Sequence, residues 1–450
     1  MTQTTTFQPV PRAPALPLVG SLPALMAGQF GALDRWQRDL GGLFDVALGP
    51  GHFVLVGDAE LATEVLIDKA GNFVRSGPFW ESLSNLFGNG MLTSEGEVWR
   101  ERRRMIQPHF HQNGVRAMVD GVARSIDETL AGWKRSCAGG LPWDASQKSA
   151  EMTMGITLRV IFGDSVADNR FQEVGQALWY AIDRVALGWV TSNLPPWLPI
   201  PGRRRYRASL ETIDRLLSEI VRSRREQGQL GEDVLGMLLH IVDRGGLDAA
   251  GLRDESVSLF IAGYETTGNS LGWAMWELGE SPEIFGRLRE EADRVLEGGV
   301  TPEKVERLEY ATQVFKEAMR MYPGSVWVPR QAVSDDTIGG RPVAAGTNVV
   351  VSIYNVHNDP RVWDAPRRFD PGRFAPGVEL PHRHAWMPFG LGQHMCIGLR
   401  LAMLEGPLAL ARIAQELDIE TLPGRRPRMK LSTGLRSADG IWVRMKPRRR

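Results

Sequence analysis

Cysteine is almost absent from the chain: Cys137 and Cys396 are the only two in 450 residues. Two thiols cannot supply a disulfide framework at this length, so a hydrophobic core must hold the fold, and a reducing compartment is its natural home. Net charge is absent too, since 53 basic and 53 acidic side chains balance. That balance removes the electrostatic case for a nucleic-acid partner. The basic ending Pro447-Arg448-Arg449-Arg450 is short and reads as a solvated tail. No apolar run approaches the ~20 residues that a membrane-spanning helix needs. The first nine residues lack the basic segment and apolar stretch of a secretion signal. A cytoplasmic protein without a transmembrane anchor is expected.

What remains is ordinary for a globular protein, 43% hydrophobic and 24% charged. No repeat, low-complexity segment or linker divides the chain. One domain over residues 1–450 is expected, a mainly helical lobe with a smaller β-rich lobe. Residues 9–23 are proline-rich and should lie extended over the surface. Short strand-like runs follow, such as Phe53-Val54-Leu55-Val56. The pattern from 97 to 308 is mostly helical, with apolar residues at helix spacing over 115–133 and 209–224. Residues 193–202 form a helix-breaking but apolar loop. Beyond Tyr322-Pro323 the texture turns to short β-like runs (348–353) and proline-punctuated coil. A last helix over 397–416 and a closing strand over 441–445 complete the reading. The fold class is mainly α with a minor β region.

The segment Phe389-Gly390-Leu391-Gly392-Gln393-His394-Met395-Cys396-Ile397-Gly398 carries the most chemistry. A cysteine just ahead of a helix meets unpaired N–H groups and the positive end of the helix, both of which favour the thiolate. Gly390 and Gly392 permit a tight turn. Gly398 removes a side chain where a flat ligand could pack, and Phe389 can cover one side of it. Two alternatives stand beside this reading. One is a buried structural cysteine. The other is a zinc site drawn from His382, His384, His394 and Cys396, although those spacings are not those of common structural sites.

The segment resembles the haem-binding signature of the cytochrome P450 family, Phe-x-x-Gly-x-Arg-x-Cys-x-Gly, with His394 where arginine is usual. Histidine's charge varies near neutral pH, so a permanent charge at that haem propionate is not expected. Further motifs follow the family's order. Ala262-Gly263-Tyr264-Glu265-Thr266-Thr267, in an apolar helix beginning near Val257, is similar to the oxygen-activation motif. The resemblance implies a groove for dioxygen at the glycine and threonine, with Thr266 and Glu265 relaying protons. Glu317-Ala318-Met319-Arg320 and Phe369-Asp370-Pro371-Gly372-Arg373-Phe374 imply a buried triad of Glu317, Arg320 and Arg373 with a structural role. Trp99 and Arg103, from the Trp-x-x-x-Arg helix, and Arg330 are implied at the haem propionates, and Ala262 at the haem face.

The resemblance implies a P450-like fold with haem b between the oxygen-activation helix and the cysteine-bearing helix, its iron ligated by Cys396. It also implies a monooxygenase that uses O2 on a hydrophobic terpenoid, fatty acid or steroid-like molecule. No dinucleotide fingerprint or flavin domain is visible, so electrons are expected from a ferredoxin or flavodoxin with a separate reductase. Arg100, Arg104, Lys316 and Arg400 are candidates for a basic patch facing that donor. Trp80, Phe87, Phe260, Val326, Trp327 and Leu435 are candidates for the substrate pocket. A haem-thiolate isomerase and a non-enzymatic haem sensor remain alternatives, and the Glu265–Thr266 pair counts against both.

Overall fold

Proline sets the first boundary. Residues 11–13 run alongside a strand, exchanging bonds between Asp45 N–H and the Pro11 carbonyl and between Ala13 N–H and the Asp45 carbonyl. Pro23 then stands at the start of helix α1 (Leu22–Leu40), where a missing N–H costs nothing. This helix was not expected from the sequence. It breaks at Gly28 (φ 172°, ψ 88°), and that interruption hides its period. The computed structural model describes residues 8–448 apart from positions 50, 138, 164–176, 178, 179, 182–201, 227, 229, 232 and 433. The apolar loop expected over 193–202 lies outside the described residues except for Gly202.

Strands β1 (Leu43–Leu48), β2 (Gly51–Val56) and β3 (Phe73–Val74) follow. A helix over Pro78–Phe87 precedes helix α2 (Gly96–Ile106), and α3 (Val119–Cys137), β4 (Pro142–Asp144) and α4 (Ala145–Phe162) follow. The single helix expected over 115–133 is two, Gln112–Ala117 and α3, parted at Met118. The helix expected over 209–224 extends over Arg203–Glu226.

The Asp248 carboxylate accepts the Gly251 N–H and caps helix α5 (Ala249–Glu280). At 32 residues it is about 48 Å long. It starts two turns before the expected Val257, because the polar stretch 248–256 masks the cap. Helix α6 (Glu309–Met321), strands β5 (Trp327–Ala332) and β6 (Asn348–Ser352), and helix α7 (Leu399–Glu416) follow. Four short strands end the chain: β7 (Leu417–Thr421), β8 (Met429–Leu431), β9 (Leu435–Ser437) and β10 (Trp442–Pro447).

The main sheet has the order β1-β2-β6-β5-β3. Only β2 and β6 run parallel, with Val54 opposite Val349. A second sheet, β4-β10-β7, closes the other end. The large core gathers on α5 and its neighbours, and a smaller cluster lies against the main sheet.

Helices α4 and α5 lie unusually close, and small residues explain it. A Cβ added at Gly268 would meet Thr153 Oγ1 at 2.7 Å, and one at Gly272 would meet Ser149 Oγ at 2.9 Å. Thr153 Oγ1 donates to the Tyr264 carbonyl at 2.8 Å and so spans the contact.

Candidate active site

Cys396 sits on a loop that two glycines fold back. Gly390 and Gly392 have φ of 71° and 70°, a region other residues avoid. A Cβ on Gly392 would lie 2.2 Å from the Leu66 carbonyl oxygen. The Cys396 N–H closes the loop on the Phe389 carbonyl at 2.9 Å. The sulfur is open to an interior cavity of about 380 Å³. Burial pushes the thiol pKa up, opposed by N–H groups of Gly398 and Leu399 and by the Arg103 charge. Gly398 ends the loop, and α7 begins at Leu399, two residues later than expected. A Cβ on Gly398 would meet only the Cys396 sulfur, at 3.8 Å, so the space beside the sulfur is open.

Helix α5 forms the facing wall. Most of its central turns are buried, yet Ala262 and Thr266, one turn apart, are open to the cavity. The Thr266 hydroxyl donates to the Ala262 carbonyl at 3.0 Å. Glu265 is held by Arg436 of β9, whose Nε donates to Oε1 at 3.0 Å. Gly263 has a packing role that the sequence did not show: a Cβ there would meet Thr157 Cγ2 of α4 at 2.9 Å. Gly263 also lines the cavity beside Ala262 and Thr266, as expected.

At the mouth of the sulfur loop, cations outnumber acids. Arg75, Arg103 and Arg330 line the cavity together with Trp99 and His394. Among the charges acting on Arg75 and Arg330, Glu95 is the single carboxylate. Burial lowers the Arg75 pKa to about 9, helped by Arg330, and lowers that of Arg330 to about 10. Both remain charged at neutral pH. Arg103 Nη1 donates to the Met395 carbonyl at 2.7 Å, tying α2 to the cysteine loop. Burial opposes the Glu95 charge, but bonds from His394 and from the N–H groups of Arg75 and Gly96 win, holding its pKa down to about 2.

His394 packs against Trp99 with ring centroids 4.2 Å apart, and its Nε2 contacts Glu95 at 3.1 Å. Burial, with Arg75 and Arg330 nearby, lowers its pKa to about 4.

Two buried nitrogens here, Arg75 Nε and His394 Nδ1, have no protein partner. Such groups are rarely left unpaired in a native fold. Three guanidinium charges against one carboxylate leave a surplus of two positive charges. That surplus, the open space beside Gly398 and a free sulfur fit a planar iron-binding ring with two carboxylates.

Of the six pocket candidates, Trp80, Phe87 and Trp327 line the cavity. Phe260, Val326 and Leu435 do not. Phe260 packs between Phe162 and Tyr264 with tilted rings, and the other two are buried core residues. The histidines considered for zinc do not converge. His384 Nδ1 bonds Thr63 Oγ1 at 2.7 Å while His394 is on Glu95.

The triad assembles as expected. Arg320 donates to both Glu317 oxygens at 2.7 and 2.9 Å, and Arg373 Nε lies 3.4 Å from Glu317. His357, which the sequence reading missed, joins this unit to the cysteine loop. Its Nδ1 contacts the Arg320 carbonyl, and its Nε2 accepts the Met387 N–H at 2.8 Å. Burial, then Arg320, lowers its pKa to about 3. Arg75 and Glu405 were missed as well. Glu405 lines the cavity, and burial raises its pKa to about 8 against a bond with Thr267. A carboxylate within the otherwise uncharged stretch 401–411 was the available signal.

A cysteine flanked by buried cations, facing a hydroxyl-bearing helix across an apolar cavity, defines a haem-thiolate protein. The family model for cytochrome P450 matches residues 10–444. The chain is 33% identical to cyclooctat-9-en-7-ol 5-monooxygenase of Streptomyces melanosporofaciens, over 90% of this chain and 89% of that one. It is 28% identical to the chloroplastic carotene epsilon-monooxygenase of Arabidopsis thaliana, over 92% and 81%. The crystal structure of the cytochrome P450DA heme domain superposes with a TM-score of 0.87 at 25% identity, covering 98% of each chain. The chain belongs to the cytochrome P450 family, and it is a monooxygenase acting on hydrophobic substrates. No helix among the described residues is long and apolar enough to cross a membrane.

Proposed function

We propose that this chain, as one domain over residues 1–450 in the cytoplasm, inserts one atom of O2 into a C–H or C=C bond of a terpenoid-sized molecule. Electrons come from a separate ferredoxin or flavodoxin with its reductase. The observation that carries the reading is that Cys396 and Thr266 face one apolar cavity from opposite walls. Cyclic-terpene and carotene names among the relatives favour a terpenoid over a fatty acid or steroid.

Bound in this cavity, haem b supplies oxygen binding and an iron made electron-rich by its thiolate ligand. Cys396 would hold the iron. Arg75, Arg103, Arg330, Trp99 and His394 would take the propionates, while Ala262, Phe389 and Gly398 would leave room for the ring. Thr266 Oγ1 presents a proton to the oxygen site on turning from the Ala262 carbonyl. Glu265, once released from Arg436, takes a proton from solvent and passes it on to Thr266. Trp80, Phe87 and Trp327 exclude water and orient an apolar substrate.

The test is the carbon monoxide spectrum of the reduced protein. Wild type and Cys137→Ala should show the thiolate-type band, and Cys396→Ala should lose it. A normal band in Cys396→Ala removes the assignment.

A further inference from the structure

Among the described residues, four of the ten exposed large apolar side chains fall within eleven residues near the start of the chain. They are Leu16 (58% exposed), Leu18 (94%), Val19 (43%) and Met26 (84%). From Ala13 to Leu33 no side chain is ionisable. Lone exposed apolar residues need no explanation, but a cluster marks an interaction surface.

This cluster is built rather than frayed. Leu16 and Gly20 exchange two backbone bonds of 2.9 Å, and the Ser21 N–H bonds the Ala47 carbonyl at 2.7 Å. A Cβ on Gly20 would lie 2.5 Å from the Ala47 oxygen, so the turn is clamped onto β1. At its tip Leu18 has φ of 67°, a conformation unfavourable for leucine. The turn therefore holds an apolar side chain outward at a conformational cost.

A basic run lies beside it. Gln29, one turn beyond Met26, accepts the Leu431 N–H at 2.6 Å and brings β8 against α1. Residues 425–430 include Arg425, Arg426, Arg428 and Lys430, all exposed, with no acidic residue among them. Arg428 pairs with Asp439 and Arg425 lies over Trp442. Arg426 and Lys430 have no acidic partner among the described residues.

We propose that this face docks on an anionic lipid bilayer, with Leu16, Leu18, Val19 and Met26 entering the interface and Arg426 and Lys430 meeting the headgroups. A projecting apolar tip flanked by basic residues suits the headgroup–acyl boundary better than a protein groove. Docking would bring the enzyme to the phase in which an apolar substrate dissolves. The inference does not depend on which substrate is oxidised.

Flotation of the haem-loaded full chain with phosphatidylcholine vesicles, with and without phosphatidylglycerol, tests it. Wild type should float with the anionic vesicles, less so at high salt. Leu18→Asp with Met26→Asp should weaken partitioning at least about tenfold. Arg426→Glu with Lys430→Glu should abolish the preference for phosphatidylglycerol. Melting temperature and haem spectrum should stay unchanged in both variants, since the altered side chains face solvent. Absence of flotation overturns the proposal, as does equal flotation of Leu18→Asp/Met26→Asp. A self-associated form that this variant disperses, without vesicle binding, would assign the face to a second copy instead. None of these readouts needs turnover, so the monooxygenase reading stands or falls separately.

Discussion

At the scale of single residues, the motifs named the cysteine and the threonine but not the charges that tune their surroundings. Arg75 carries no motif, because its importance lies in neighbours from distant segments: Glu95, Arg103 and Arg330. Arg75→Ala should raise the haem dissociation rate roughly 10- to 100-fold, from loss of a charge-assisted bond of ~1.5–3 kcal/mol. Haem transfer to a scavenging globin measures it, and an unchanged rate would remove Arg75 from the site.

His357 makes a second prediction. It is neutral in the folded protein down to about pH 3, whereas the unfolded chain takes up its proton near pH 6.5. Its contribution is complete above pH 6.5 and is lost as pH falls through that value toward 3. The slope is about 1.4 kcal/mol per pH unit. Urea unfolding of His357→Gln between about pH 6 and 4.5 should show a stability slope shallower by that amount. An identical slope would mean that other groups carry the acid sensitivity.

At the scale of elements, local signals placed the longer helices at 209–224 and 397–416 and the strands at 53–56, 348–353 and 441–445, and the boundaries slipped where capping or glycine broke the pattern. Helix α1 was hidden by its break at Gly28, and the start of α5 by the charged run Arg253-Asp254-Glu255 in its second turn. Gly263 lines the cavity as expected, and it also meets the approach of α4, as Gly268 and Gly272 do. No single sequence shows which helix will lie against another. Gly268→Ala should cost about 1–3 kcal/mol, since its Cβ would press on both Thr153 and the Ala150 backbone, the latter at 3.1 Å. Thermal unfolding reads this as a lowered Tm. An unshifted Tm would show that the two helices can separate freely.

At the scale of the whole molecule, zero net charge conceals local asymmetry. The expected donor patch is thinner than the sequence implied. Arg100 is paired with Glu97 at 2.6 Å. Lys316 is half-buried, with its ammonium 5.6 Å from the Trp386 ring centroid. Arg104 and Arg400 remain exposed. Arg104→Glu with Arg400→Glu should slow reduction by an acidic donor several-fold at low salt and little at high salt, because rim charges act on association rate. Stopped-flow reduction checks it, and salt-independent rates equal to wild type would place docking elsewhere.

The sequence by itself determined the mainly helical class, the sulfur loop, the threonine-bearing helix and the members of the Glu317 triad. Each depends on spacing within a short segment or on a motif contained in one. Only the tertiary structure decided that Arg75, Glu95 and His394 share one enclosed site, that Arg436 holds Glu265, and that Phe260, Val326 and Leu435 belong to the core. These are contacts between segments far apart in the chain. Their energies depend on burial and on the sum of neighbouring charges, quantities that have no value until the chain has folded.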